Sequence, residues 1–175
     1  MTDKRTTIYQ GRIVRLELEE VRLPNGVTAE LEIVHHPGGA AAVALDESLN
    51  VCLLRQYRHA AAGWVWELPA GKLDPGEAPL ATASRELAEE AGLSAARWEP
   101  LGRMLSSPGV FTEVIHLFLA RELTPVPSAT ETHELIEVHW LPFAEALDRA
   151  RRGEIVDAKT VVGLFRADAV LAAPR

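Results

Sequence analysis

An α+β fold is the expectation for this chain, and three features of the sequence set it. Apolar residues alternate at the period of a strand through the first 35 residues. Short apolar runs bounded by turn residues follow, and each reads as a buried strand. Helical patterns then occupy about 79–91, 142–150 and 158–171, without the regular strand–helix alternation of a parallel α/β protein. The 175 residues suffice to bury roughly 70% of the unfolded surface, so no disulfide or metal staple is needed. A net charge of −7 argues against nucleic acid as a partner. The single Cys52 excludes an internal disulfide and any cysteine-based zinc site. It lies between Val51 and Leu53 and reads as a small buried hydrophobe. No apolar run approaches the ~20 residues of a membrane span, and residues 1–10 carry no signal-peptide core. A cytoplasmic protein with no membrane partner is expected.

In chain order, Ile13, Val14, Leu16, Leu18, Val21 and Leu23 lead into Pro24-Asn25-Gly26, a reverse-turn signal. Val27, Ala29, Leu31 and Ile33 return as the second strand of a hairpin. A lone hairpin is marginal in water, so this segment must pack on something else. His35-His36-Pro37-Gly38-Gly39 breaks the pattern, with both histidines expected at the surface; it divides an N-terminal β region, 1–38, from a main domain, 39–175. Ala40–Leu45, Val51–Leu54 and Trp64–Leu68 read as strands, the last running into the loop Pro69–Gly76. A helix from near Pro79 to Ala91 follows, with proline at its first position and Gly92 at its left-handed stop. Strands are expected at Leu101–Leu105, Val114–Ala120 and Leu135–Leu141, and Pro142 opens the next helix. Trp98 and Trp140 are assigned to the core.

The first helix carries the chemistry. Residues 85–90 read Arg-Glu-Leu-Ala-Glu-Glu, and helical spacing puts Glu86, Glu89 and Glu90 on one patch. Like charges so placed destabilise a helix, and they lie in its last turns, where the macrodipole favours cations. A hard, oxygen-binding cation such as Mg²⁺ would offset this. Leu87 and Ala83 face another way and supply a core stripe, while Arg85 can reach Glu89. Gly71 and Gly76 let the preceding loop bend and approach a ligand closely.

Gly71, five residues, Glu77, seven residues, then Arg85-Glu86-Leu87-Ala88-Glu89-Glu90-Ala91-Gly92-Leu93 resembles the Nudix box at every defined position. The resemblance implies a mixed sheet sandwiched between helices, with the box as loop–helix–loop. It also implies hydrolysis, dependent on Mg²⁺ or Mn²⁺, of a nucleoside diphosphate linked to another moiety. On the matching positions, Glu86 and Glu90 would be the main metal ligands, Glu89 would assist, and the Ala70 carbonyl would complete the site. Gly71, Glu77, Arg85 and Gly92 would be structural members of the box.

Outlying segments resemble the ADP-ribose pyrophosphatase branch of that family. Arg55-Gln56-Tyr57-Arg58 matches a segment whose arginine contacts substrate, which puts Arg58 in that role with Arg55 and Tyr57 beside it. Trp66-Glu67-Leu68-Pro69-Ala70-Gly71 matches the entry to the box. Ser106-Ser107-Pro108-Gly109 places a proline 15 residues past Leu93, the marker that separates ADP-ribose hydrolases from several siblings, which would make Pro108 and Gly109 substrate contacts. Glu134-Leu135-Ile136-Glu137-Val138 and Asp157-Ala158-Lys159-Thr160 complete the likeness. Tyr57, Trp64 and Trp66 could stack on an adenine, and equally suit a core or an interface. The catalytic base would be a glutamate of the loop Thr124–His133 or its far end. Glu134 is preferred over Glu131, Thr132 occupies the position where some relatives carry the base, and His133 is a weaker candidate. The hairpin resembles the β region with which this branch builds a domain-swapped homodimer. Two alternatives stand beside ADP-ribose hydrolysis to AMP and ribose 5-phosphate. One is hydrolysis of another nucleoside diphosphate sugar, such as GDP-mannose, or of a dinucleotide. The other is a non-catalytic, ligand-binding regulator on the same scaffold.

Overall fold

The computed structural model describes residues 2–129 and 134–173. The chain forms two compact units: one runs from the N-terminus to Gly38 and takes in Leu105–Val114, the other comprises Gly39–Met104 and the chain from Ile115 onward.

The first unit is an antiparallel sheet of β1 (Thr2–Gln10), β2 (Arg15–Arg22) and β3 (Thr28–His35), in that order. β2 and β3 form the hairpin read from the alternation, closed by Leu23 and Val27 and by Gly26 at φ +83°. β1 corrects the reading of the first 35 residues as alternating: TDKRTTIYQ has no apolar alternation, which starts only at Ile13, and it is a strand all the same. Residues 105–114 join this unit through bonds of the Val34 amide to Val110 and of the Thr112 amide to Val34. His35 corrects the expectation of a surface residue. Its Nε2 lies 3.0 Å from Glu17 and 2.8 Å from Glu19, two carboxylates buried by the flanking strands. Arg15 and Arg5 supply positive charge, 2.9 and 3.6 Å from the same pair. His36 is likewise packed, its Nδ1 accepting from the Gly38 amide and its ring 5.2 Å from that of Phe111.

The second unit holds β4 (Gly39–Ala44), β5 (Asn50–Arg58), β6 (Gly63–Glu67), β7 (Ala70–Lys72), α1 (Pro79–Ala91), β8 (Leu93–Leu105), β9 (Val114–Pro125), β10 (Ile136–Pro142), α2 (Phe143–Arg151) and α3 (Ala158–Ala172). One sheet has the order β10-β5-β6 and the other β7-β4-β9-β8, with β4 and β9 parallel and β4 and β7 antiparallel. β4 is buried along its whole length because both its faces are covered. Ala41 and Val43 join the core with Phe143, Leu147 and Leu164 of α2 and α3, whereas Ala42 and Ala44 pack with Leu87 of α1. Alanine at these positions lets helices approach from either side. Cys52 is buried in the second of these clusters, as expected. β7 is a three-residue strand with no periodic signal of its own; pairing Ala40 with Gly71 and Ala41 with Ala70, it ties the loop before α1 to β4. Trp98 is half-buried against Phe118. Trp140 is not core: it lies on the edge strand β10 and is 43% exposed.

Candidate active site

α1 begins with Pro79 at its first turn and ends at Gly92, whose φ of +65° and amide bonds to the Ala88 and Leu87 carbonyls close it. Thr82, Ala83 and Leu87 have no exposed surface and anchor the helix. Arg85 organises the acidic side. Its Nη1 donates to Glu86 at 2.6 Å and to Glu89 at 3.1 Å. Its Nε and Nη2 hold the Glu77 carboxylate at 3.1 and 3.0 Å. Glu77 also accepts from Thr82 Oγ1 at 2.7 Å. The Arg85 bonds, then the Thr82 bond, depress the Glu77 carboxyl to about 2, and the same bond to Glu77 raises Arg85. Loop and helix are thereby fastened to each other.

Two of the carboxylates on α1 lie against the loop. The Glu86 carboxylate fills the space beside Gly71, where a Cβ would come within 1.9 Å of its Oε1. Glu90 is 5% exposed and accepts from the Ala70 amide at 2.8 Å. Burial pushes the Glu90 carboxyl up to about 8, the charges of Glu86 and Glu134 add to this, and the Ala70 bond opposes it. Burial raises Glu86 as well, in spite of Arg85, and Glu89 and Glu134 contribute repulsion. Desolvation, with a smaller contribution from Glu90, takes the Cys52 thiol to about 12, leaving it inert. The donor set is entirely oxygen, and its most buried member, Glu90, accepts from a backbone amide rather than from a cation among the described residues, a set that suits a hard divalent cation. The ligand atoms that lie within 4.8 Å of one another, among the described residues, are instead those of Glu17, Glu19 and His35. On α1, Arg85 Nη1 holds Glu86 and Glu89 together, while the Ala70 amide draws Glu90 to a different partner.

The other sequence-predicted residues divide. Glu134 is brought to the cluster, since its charge acts on both Glu86 and Glu90. Arg58 is brought there too, where it feels Glu90, but its Nε and Nη2 are engaged by Glu67 at 2.7 and 2.8 Å. Strand alternation puts Arg55 and Tyr57 on the opposite face of β5 from Arg58. There Arg55 lies 5.6 Å over the Trp64 ring, and Tyr57 meets Trp64 edge-on at 6.0 Å. Trp66 packs edge-on against His139 at 4.9 Å. Pro108 and Gly109 form a turn of the first unit, where the Ser107 carbonyl accepts from Val110 and Phe111. Glu131, Thr132 and His133 lie outside the described residues.

The structure also reveals partners that spacing gave no role. Glu67 is 3% exposed and receives, besides Arg58, the Lys159 ammonium at 2.5 Å. Lys159 also reaches Asp157 at 3.0 Å, and Asp157 caps α3 by accepting from the Thr160 amide at 3.0 Å. Burial works against the Glu67 charge, yet Arg58 and Lys159 together hold its carboxyl below the ordinary value. The sequence flagged both segments, 66–71 and 157–160, through the family resemblance, and the Asp-x-x-Thr pattern marks a helix start, but neither signal tells that Lys159 meets Glu67.

The pattern of the NUDIX domain family matches residues 35–161, which contain the whole loop–helix–loop and its flanking strands. The chain belongs to the NUDIX family. Among relatives of this NUDIX chain, an ADP-ribose pyrophosphatase of Mycobacterium tuberculosis is 40% identical over 94% of the chain and 81% of the relative. A methanol dehydrogenase activator of Bacillus methanolicus is 38% identical over 93% and 89%. An ADP-ribose pyrophosphatase of Bacillus subtilis is 36% identical over 90% and 86%. The crystal structure of an ADP compounds hydrolase superposes with a TM-score of 0.83 over 98% of this chain and 93% of that one. At 23% identity the superposition shows the fold: α+β, of the Nudix type.

Proposed function

We propose that this NUDIX chain hydrolyses the pyrophosphate bond of ADP-ribose to AMP and ribose 5-phosphate by attack of water. One juxtaposition carries the hydrolase reading: buried Glu90, Glu86 against Gly71, and Glu134 with Arg58 beside them. Relatives named as ADP-ribose pyrophosphatases, aligned over most of the chain, support the choice of substrate. Glu86 and Glu90, assisted by Glu89 and the Ala70 carbonyl, would hold Mg²⁺ or Mn²⁺. A divalent cation bound there neutralises phosphate oxygens and lowers the pKa of water. The chain's own side chains do the rest. Arg58, whose Nε and Nη2 are held by Glu67, presents Nη1 to a phosphate oxygen, and Glu134 takes the proton of the attacking water, with Glu131 the second candidate base. Gly71 keeps room for Glu86, and Glu77 with Arg85 holds loop and helix in register. Arg55, Tyr57, Pro108 and Gly109 remain proposed substrate contacts on the family pattern, not on proximity to Glu90. A cytoplasmic homodimer built through the first unit fits its exposed Ile8, Tyr9, Ile13, Val27 and Leu31. Among the described residues no helix is long and apolar enough to cross a membrane.

The test is product analysis with ADP-ribose, GDP-mannose and a dinucleotide, in Mg²⁺ and in EDTA. AMP and ribose 5-phosphate should form fastest from ADP-ribose, stop in EDTA, and fall by orders of magnitude in the Glu86→Gln, Glu90→Gln double variant. Faster turnover of GDP-mannose would move the substrate. Tight binding of ADP-ribose without turnover would instead make the protein a regulator.

A further inference from the structure

We infer that Lys159, acting through Glu67, is a positioning residue that aims Arg58 at the pyrophosphate. This rests on the pyrophosphate-hydrolase reading above. The strand β6 ends at Glu67, whose carboxylate is sealed from solvent and has two cationic neighbours from distant parts of the chain. Arg58 grips it with both Nε and Nη2, a bidentate pairing that fixes the plane of the guanidinium. Nη1 is the remaining corner of that fork, and half of the Arg58 side chain stays in contact with solvent. Lys159 approaches Glu67 Oε2 from the first turn of α3, is itself almost buried, and is held from behind by Asp157.

The charges explain why both cations are present. Arg58 and Lys159 against Glu67 and Asp157 sum to zero, so the group is not a reservoir of positive charge for substrate. It is an orienting device. With Arg58 alone, Glu67 could swing with the arginine. Lys159 ties the carboxylate to a helix terminus that is itself locked, because Thr160 Oγ1 donates to Asp157 at 2.6 Å and accepts from the Leu68 amide at 2.8 Å. That last bond reaches the backbone beside Glu67. Two residues further on, the Ala70 amide holds Glu90. The first turn of α3 therefore sets both the arginine and the strand end from which the acidic site is built. A misplacement of about 1 Å in such a contact can cost a factor of about 100, so a positioning residue has measurable leverage.

The experiment is a double-mutant cycle between Lys159→Met and Arg58→Ala in the full chain. It is read by equilibrium binding of ADP-ribose in EDTA, where no turnover occurs, and by KM and kcat in Mg²⁺. Lys159→Met should weaken binding and raise KM about tenfold, with kcat within about twofold, and should change binding less than about twofold once Arg58 is gone. Lys159→Arg should restore binding, since it keeps a cation on Glu67. Equal losses in both backgrounds, or unchanged binding by a folded Lys159→Met protein, would overturn the inference. If Lys159→Met does not fold, the same cycle with Glu67→Gln, which preserves the side-chain shape, decides by the same criterion. Inorganic pyrophosphate serves as a second probe. Wild-type protein that binds pyrophosphate but not ADP-ribose defeats the substrate reading, while the cycle on pyrophosphate still decides the role of Lys159.

Discussion

Gly71 shows how a single residue constrains this site. Its backbone is in an ordinary extended pairing with Ala40, so the demand for glycine is not conformational. It is steric: an added Cβ would lie 1.9 Å from Glu86 Oε1 and 2.1 Å from its Cδ. Alanine at this position must displace the Glu86 carboxylate, while the buried stripe of α1 is untouched. Gly71→Ala should therefore lower kcat/KM by ~10²-fold or more while leaving the melting temperature nearly unchanged. Parallel kinetics and thermal melts check this, and wild-type kinetics in the variant would show that Glu86 is not needed where it stands. The sequence announced a glycine at a bend. That the missing side chain makes space for a carboxylate 15 positions later depends on β7 pairing with β4, a contact that no local pattern encodes.

At the scale of elements, α1 was legible almost residue for residue. Proline at the start, glycine at the stop and the Ala83–Leu87 stripe are local signals, and local physics suffices to read them. The tie between loop and helix was legible as residue types and not as strength. Glu77 is bound by two Arg85 donors and by Thr82, and its folded-state carboxyl sits near 2 against an ordinary 4.5. A depressed carboxylate contributes stability that is present above its unfolded pKa and lost as pH falls through the folded one. Acid titration should therefore show a loss of stability between about pH 4.5 and pH 2 that Glu77→Gln lacks. Melting curves over that range test it, and superimposable pH slopes for the two proteins would remove Glu77 from the account. β1 and β7 were illegible for a related reason. One is mostly polar and the other is three residues long, so each is a strand because a neighbour offers it hydrogen bonds.

For the whole molecule, the first unit leaves Ile8, Tyr9 and Ile13 exposed on a small sheet. Such a sheet has too little core of its own to hide them. The chain should sediment at twice its own mass at micromolar concentration, and a monomer at tens of micromolar, with activity retained, would defeat the dimer. What the sequence determined by itself was the acidic helix, its caps, most of the strand pattern and the family. These depend on side-chain periodicity and on fixed spacing within about two dozen residues. Only the tertiary structure decided which predicted residues meet. Alternation along β5 sends Arg58 to the acidic cluster and Arg55 with Tyr57 to the other face, though four adjacent letters suggested one group. Burial decided that among the three similar glutamates it is Glu90 whose carboxyl is pushed up to about 8. Folding brought Lys159 to Glu67, 92 residues earlier in the chain. Desolvation and long-range ion pairing are properties of packed surfaces, and they come into being only when segments distant in the sequence close on one another.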